Sequence, residues 1–419
     1  MHGWPLPSVD TKRTIAIILM GLSIYLGNSR LGAVAPPLRP VPVDAIAADP
    51  CCAEPLLGQD DAIWPQQGQS SDAPREMLGE RATLLRAIDH SLQYLASDRA
   101  VNDYQKIDRT AFGNPSPAAL RSRVRRSLQR FRQLVLTQPN ARALQRAVAQ
   151  EFIFYQAIGQ DGQGTVGFTG YFEPTYRASR VPTVEYRYPL FRRPPTLEQW
   201  SRPHPTRLQL EGADGLQFAQ GPLRGLELVW LRDRLEAFLV QVQGSARLQL
   251  TDGRTLTVGY AGRTDYPYVG IGRELVDAGK FTLEELTLPR LVQYFREHPD
   301  ELDLYLPRNQ RFVFFKETHG APATGSIGVP VLPGRSIATD KTLFPPGALA
   351  LIHTPLPTLN RAGQLEQRLV SRYVLDQDTG GAIKGPGRVD VFMGTGQAAG
   401  DRAGLVNATG QLYYLLLRE

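Results

Sequence analysis

From about Gly328 to its end, the chain is cut into short apolar runs by glycine and proline, and no stretch there carries a long helical period. Such punctuation builds short strands joined by tight turns. Within it, DQDTGGAIKGPGRVDVFMGTGQAAGDRAG, from Asp376 to Gly404, sets Asp376, Asp378, Asp390 and Asp401 among many glycines. The Asp-Thr-Gly triplet invites comparison with aspartic proteases. Those enzymes need two such loops sharing a proton, and this chain holds one, so dimerisation would be compulsory. Gly394-Thr395-Gly396 lacks the spacing of a dinucleotide fold and the lysine-hydroxyl pair of a phosphate loop. Asp376, Asp378 and Asp390 do not follow the order of an EF-hand either. Asp390, flanked by Val389 and Val391, reads as a strand residue, and an aspartate buried in a strand needs a partner or a function.

Upstream the texture differs. Leu84, Leu85, Ile88, Leu92 and Leu95 share one helical face. A second helix opens at Ser116-Pro117, with proline in its favoured first position and Leu120, Val124, Leu128, Phe131 and Val135 as its apolar stripe. Its other faces carry Arg121, Arg123, Arg125, Arg126, Arg130 and Arg132, which reads as a solvated basic face before a nucleic-acid surface. After Gly159 strands and turns take over in TVGFTGYFEPTYRASR, VPTVEYRYPLFRRP and LELVWLRDRLEAFLVQVQGSARLQL. The last of these leads to a hairpin turn at Asp252-Gly253. A helix is expected from Thr282, with Glu285 as its capping-box partner, to about His298-Pro299. RFVFFKE then reads as a buried strand.

The chain has 419 residues, 42% of them apolar and 21% charged, which is a globular composition. Its net charge of +6 suits nucleic acid, membrane headgroups or an acidic wall polymer and selects none of them. Lys12 and Arg13 precede an apolar run from Ile15 to Gly27, so residues 1–35 read as an export signal or an uncleaved N-terminal anchor. Ala33-Val34-Ala35 and Ala45-Ile46-Ala47 offer candidate cleavage sites, and either reading puts the body outside the cytoplasm. Residues 36–74, rich in Pro, Ala, Asp and Gln, read as a disordered tether. Cys51 and Cys52 are adjacent and so do not suggest a mutual disulfide; with six scattered histidines they give no zinc spacing, and no metal or other cofactor is implied.

GRSIATDKTLFPPG (Gly334–Gly347), LDQDTGGAIKG (Leu375–Gly385) and VDVFMGTG (Val389–Gly396) bring Asp340, Asp378 and Asp390 on or beside strands. This trio resembles the three-aspartate module of cell-wall enzymes, which is built on a double-psi β-barrel. Upstream, FTGYFEP, VQGSARLQLTDGRTLTVGYAGRTDYPYVGIGRELVDAG and FVFFKE look like the other blocks of one family, membrane-bound lytic transglycosylase A (MltA). The resemblance covers about Thr165 to the C-terminus. It implies a mainly β fold with N-terminal helices: helices and first barrel strands in 75–180, an inserted β-domain in 181–321, and a double-psi β-barrel in 322–419. A cleft between barrel and insert would hold a peptidoglycan strand. The cell envelope, either periplasm or outer membrane, would be its location. Membrane contact would come through an uncleaved N-terminus, nucleic acid is not expected, and wall-synthesis proteins are a further partner class.

By position in the family motif, Asp390 is the expected acid/base, Asp378 its neighbour that orients it or raises its pKa, and Asp340 a supporting acceptor. For Asp378 and Asp340 the competing role is turn formation. A lytic transglycosylase can act with one carboxylate: it protonates the oxygen between N-acetylmuramic acid and N-acetylglucosamine, then takes the proton of the sugar's own C6 hydroxyl as that attacks C1. The product ends in 1,6-anhydromuramic acid. Gly380, Gly381, Gly394 and Gly396 would let backbone approach the sugar, and Lys384 would position Asp390 or meet a lactyl carboxylate. Tyr171, Glu173, Gln243, Ser245 and Tyr260 are candidate sugar contacts, with Tyr266 and Tyr268 beside them; packing or ladder structure is the plainer role for each. A non-catalytic, expansin-like glycan-binding protein and a true hydrolase are the two alternatives to transglycosylation.

Overall fold

The computed structural model describes residues 35–42, 57–64, 79–282, 285–360 and 363–419. The expected signal or anchor, apart from Ala35, lies outside the described residues, as do Cys51 and Cys52. No helix among the described residues is long and apolar enough to cross a membrane.

The strands follow chain order as β1 (Leu38–Val41), β2 (Phe152–Ala157), β3 (Val166–Glu173), β4 (Thr175–Ser179), β5 (Tyr188–Phe191), β6 (Glu227–Leu231) and β7 (Ser245–Leu250). They continue as β8 (Thr255–Arg263), β9 (Val313–Glu317), β10 (Ser336–Ala338), β11 (Leu349–Leu359), β12 (Leu365–Asp378), β13 (Arg388–Thr395) and β14 (Asn407–Leu417). Six of them close into a barrel in the order β14-β11-β12-β10-β13-β3, and β3 returns to pair with β14. Closure removes the free edges that an open sheet would expose. Two neighbouring pairs in the ring are parallel, β10 with β12 and β13 with β3, and the others are antiparallel. β2 continues the edge of β14 beyond β3, and β1 pairs with β2.

A second six-stranded sheet, ordered β5-β6-β4-β7-β8-β9, is drawn from the chain between β3 and β10. Its first strand starts at Thr175, because Pro174 has no amide hydrogen to continue the β3 ladder and the chain leaves the barrel there. Ala178 on β4, Leu228, Val229 and Leu231 on β6, and Leu248, Val258 and Phe315 on the three strands beyond make its own core.

The helix Pro117–Thr137 forms as expected, capped by the Ser116 hydroxyl, and buries Leu120, Val124, Leu128, Phe131 and Val135. It and the helix Arg81–Leu95 lie on the barrel, the first on β14 and β11 and the second on β12. The arginine-rich faces are largely engaged within the fold. Arg121 donates to the Leu95 carbonyl, Arg123 to the Leu417 carbonyl, and Arg126, Arg130 and Arg132 pair with Glu419, Glu151 and Asp89.

Two further segments depart from expectation. Thr282 and Glu285 do exchange capping-box hydrogen bonds, but the regular helix is Leu288–Glu297, capped by Thr287 with Pro289 in its first turn. Inside the stretch read as strand, Arg234–Gln243 is a helix. Asp233 caps its first amides and Gly244 ends it in a left-handed conformation, both helix signals present in the sequence.

The expected tether is anchored wherever it is described. Leu38 is fully buried in β1, and Asp60 is 1% exposed against Arg335, which is 0% exposed. Arg335 donates to Asp60 and to Glu80, the latter at 2.7 Å, and Asp60 also accepts the Tyr373 amide at 2.9 Å. A buried arginine cannot lose its proton, so it has to be paired, and the residues before the first helix supply both carboxylates. Burial opposes the ionised form of Glu80, yet Arg372 and Arg335 hold its carboxyl below the ordinary value of 4.5. Its contribution is therefore present above that value and is lost as pH falls through the folded-state value. Asp60→Ala should lower the unfolding free energy by about 3 kcal/mol, as expected when one partner of a buried ion pair is removed; urea denaturation at neutral pH measures it.

Candidate active site

The site grows from the register of three barrel strands. Ala338 on β10 pairs with Asp378 on β12 along one edge and with Asp390 on β13 along the other. The two aspartates therefore stand level, two strand spacings or about 10 Å apart in the backbone. Asp390 in turn pairs with Thr169 on β3, and Phe392 with Tyr171. Val389, Val391 and Met393 belong to the main core, so β13's alternation turns Asp390 and Phe392 to the other face. There Phe392 packs with Tyr171, Ala323 and Val331.

Asp390 is partly exposed, and its protein contacts fall on Oδ1: the Thr169 hydroxyl donates to it and Arg388 Nε lies 3.5 Å away. Arg388 also donates to the Thr169 oxygen at 3.1 Å. Asp378 is held by three donors: Tyr171 hydroxyl at 2.9 Å, Ser326 amide at 2.7 Å and Thr379 amide at 2.8 Å. Burial pushes its carboxyl above the ordinary range despite those donors. Asp340 behaves oppositely. Burial opposes its charge, but the Gly385 amide, the Thr342 hydroxyl and amide and the Lys384 charge hold its carboxyl below the ordinary range. Asp340 thus both caps its own turn through Thr342 and ties the loop at Gly385 to the barrel.

Asp376, two residues before Asp378, is fully buried and is not legible as a site residue from sequence. It pairs with Lys341 and accepts from Thr339 and Tyr414 hydroxyls, both at 2.8 Å. Burial raises its carboxyl above the ordinary range. It ties β12 to β14 and to the turn after β10.

Of the expected sugar contacts, the structure brings Tyr171 to the acids through its bond to Asp378. Glu173 is 1% exposed and accepts from Thr395, with Arg247 3.7 Å away, so it joins the barrel to the second sheet. Gln243 has a similar joint role, accepting the Phe172 amide at 3.0 Å. Ser245 opens β7 opposite Gly259 in the ladder. Tyr260 is 49% exposed on β8 and presents its ring to solvent. Lys384 is exposed, and Gly380 packs on Ile383. Gly394 sits at φ +116°, a conformation side chains rarely adopt, at the register shift of β13 between Phe392 and Thr395, so the irregularity of that strand requires glycine there. Tyr268 lies within electrostatic reach of Arg388, Asp390 and Arg311, which places the loop after β8 beside the acids. Thr169, Arg388 and Arg311 are the site residues that sequence reading missed; Thr169 stood inside the quoted FTGYFEP block, but only strand register shows it opposite Asp390.

A closed six-stranded barrel with aspartates on its rim, joined to a second sheet drawn from an internal stretch of chain, defines a two-sheet, carboxylate-centred class of protein. Family models agree: residues 167–316 match the MltA specific insert domain and residues 335–416 match the 3D domain. Membrane-bound lytic murein transglycosylase A of Escherichia coli K12 is 32% identical over 263 residues, 62% of this chain and 68% of that protein. Its Vibrio cholerae counterpart is 34% identical over 269 residues, 63% and 69% of the two chains. Among solved structures, a membrane-bound lytic murein transglycosylase from Agrobacterium tumefaciens aligns with TM-score 0.63 at 26% identity, covering 81% of this chain and 93% of its own. E. coli MltA with bound chitohexaose aligns with TM-score 0.62 at 25% identity, covering 86% and 96%. The chain belongs to the membrane-bound lytic murein transglycosylase A family.

The raised carboxyl of Asp378 has a consequence for stability. A folded state that holds its proton more tightly than the unfolded chain is favoured below the unfolded value and loses that advantage as pH rises through the folded one. Relative to Asp378→Asn, the wild type should therefore lose stability as pH rises above about 4 and through the raised folded-state value of Asp378. Paired urea titrations across that range test it.

Proposed function

We propose that this protein is a peptidoglycan lytic transglycosylase in which Asp390 alone serves as acid and base. The observation that carries this reading is the unequal use of the three aspartates. Asp378 and Asp340 are each taken up by three protein donors, whereas among the described residues the contacts of Asp390 fall on Oδ1, which leaves Oδ2 to meet a substrate. The family membership supports the substrate class, since relatives at 32% and 34% identity are named for murein transglycosylation. The chitohexaose complex of a structural neighbour supports a glycan strand as ligand.

In this reading the Asp390 proton passes to the glycosidic oxygen as its bond to C1 breaks. The carboxylate then receives the proton of the C6 hydroxyl as O6 bonds to C1. The acid is regenerated, no water enters, and no second carboxylate is needed, in contrast to the usual paired glycosidase. Thr169 and Arg388 hold Oδ1 and so aim Oδ2. Asp378 orients its neighbourhood through Tyr171 rather than attacking. We read the crossed parallel pairs of the barrel as a double-psi arrangement and the second sheet as the inserted domain, with the strand lying between them. An envelope location fits relatives named as membrane-bound.

Mass spectrometry of digested peptidoglycan tests the proposal. Wild type should release 1,6-anhydromuramoyl ends, and Asp390→Asn should lower their yield about a hundredfold or more. Reducing ends would identify a hydrolase instead, and no release a binding protein. Full anhydro-product formation by Asp390→Asn would remove that residue from the role.

A further inference from the structure

Arg311 precedes β9 and is only 8% exposed, yet no carboxylate pairs with it among the described residues. Its Nε donates to the Tyr266 carbonyl at 2.8 Å, and neither Nη donates to an acceptor among those residues. Arg207, a deeply buried arginine that opens the helix Arg207–Glu211 and donates to the Arg311 carbonyl, makes the contrast plain. It pairs with Glu211, donates to Gln241 and two carbonyls, and stacks on Phe238 and Phe312. Arg311 has instead a second cation beside it. Burial and the Arg263 charge pull its guanidinium down to about 10. A buried cation without a counter-ion is costly, so its retention calls for an anion from outside the chain.

The direction in which Arg311 reaches says where that anion would sit. A Cβ built on Gly381 would collide with Nη1, so the guanidinium lies on the loop that follows Asp378 and Thr379. Glycine at 381 is what admits it. Tyr268 lies within electrostatic reach of Arg311, Arg388 and Asp390 together, which sets the cation at the edge of the acidic site. Capture of a carboxylate is the chemistry suited to a guanidinium whose Nη groups have no acceptor among the described residues.

We propose that Arg311, with Arg263 beside it, is a carboxylate-binding subsite of the cleft, which would read the acidic arm of a muramic-acid strand. This rests on the glycan-strand reading above. The carboxylate would come from the lactyl arm of peptide-free strands or from the peptide attached to that arm.

Binding should be measured by calorimetry in the Asp390→Asn background, so that strands are not consumed. The ligands are neutral chitohexaose, peptide-free muramic-acid oligosaccharides and peptide-bearing ones. Adding Arg311→Gln should weaken the carboxylated strands about 10- to 100-fold, the worth of a hydrogen bond to charge, and change chitohexaose less than about twofold. Loss confined to peptide-free strands identifies the lactyl carboxylate, and loss on peptide-bearing strands the stem. Arg263→Gln alters an exposed side chain, so it keeps the test open should Arg311→Gln fail to fold, and should show a smaller loss of the same selectivity. Equal loss for neutral and carboxylated ligands, or no loss for either, would overturn the subsite. A background protein that binds none of the three would instead sink the glycan reading itself.

Discussion

Strand β3 is the element on which the rest of the structure depends. It pairs with β13 along one edge and with β14 along the other, and this double pairing turns six strands into a ring. The same strand sets Thr169 against Asp390 and aims the Tyr171 hydroxyl at Asp378. At its end Glu173 meets Thr395 and Arg247, and Pro174 then releases the chain into the second sheet. Closure, acid positioning and the joint with the neighbouring sheet thus share eight residues. Because side chains alternate along a strand, a one-residue slip of β3 would remove Thr169 and Tyr171 from the acids together.

Buried charge is handled in two ways in this fold. Arg335 with Asp60 and Glu80, and Lys341 with Asp376, are closed networks in which each ion has its partners inside the protein. They bind distant segments, residues before the first helix to β12 in one case and β10's turn to β12 and β14 in the other. Arg311 is the open case, and among the described residues only one oxygen of Asp390 meets a donor. Closed networks favour a single folded arrangement, whereas open charges cost stability and are kept where a ligand completes them.

Much of the architecture was legible because its signals are local. The helix at Pro117 follows from a capping serine, a first-turn proline and an unbroken apolar stripe. The hairpin at Asp252-Gly253 follows from its turn residues, with Gly253 at φ +84°. The misreadings were local conflicts settled elsewhere in the fold. Arg234–Gln243 is apolar on enough faces to pass for strand, and its burial between sheet and helices decides for helix. Residues 36–74 looked too polar to fold, but Leu38 and Asp60 are drawn in by an exposed edge of β2 and by a buried arginine that are remote in the chain.

The sequence by itself determined the chemistry at hand: three aspartates on or beside strands among glycines, with blocks upstream that mark one family. It could name Asp340, Asp378 and Asp390 but not tell them apart in use. Tertiary structure decided that Asp378 and Asp340 are saturated and Asp390 is not, and that Glu173 and Gln243 serve the joint between sheets. It also left Arg311 beside them with no carboxylate partner among the described residues. The reason is physical. A side chain's type fixes what it can donate or accept, whereas its partners come from strand register and from remote chain segments, as Arg335 and Asp60 are at a separation of 275.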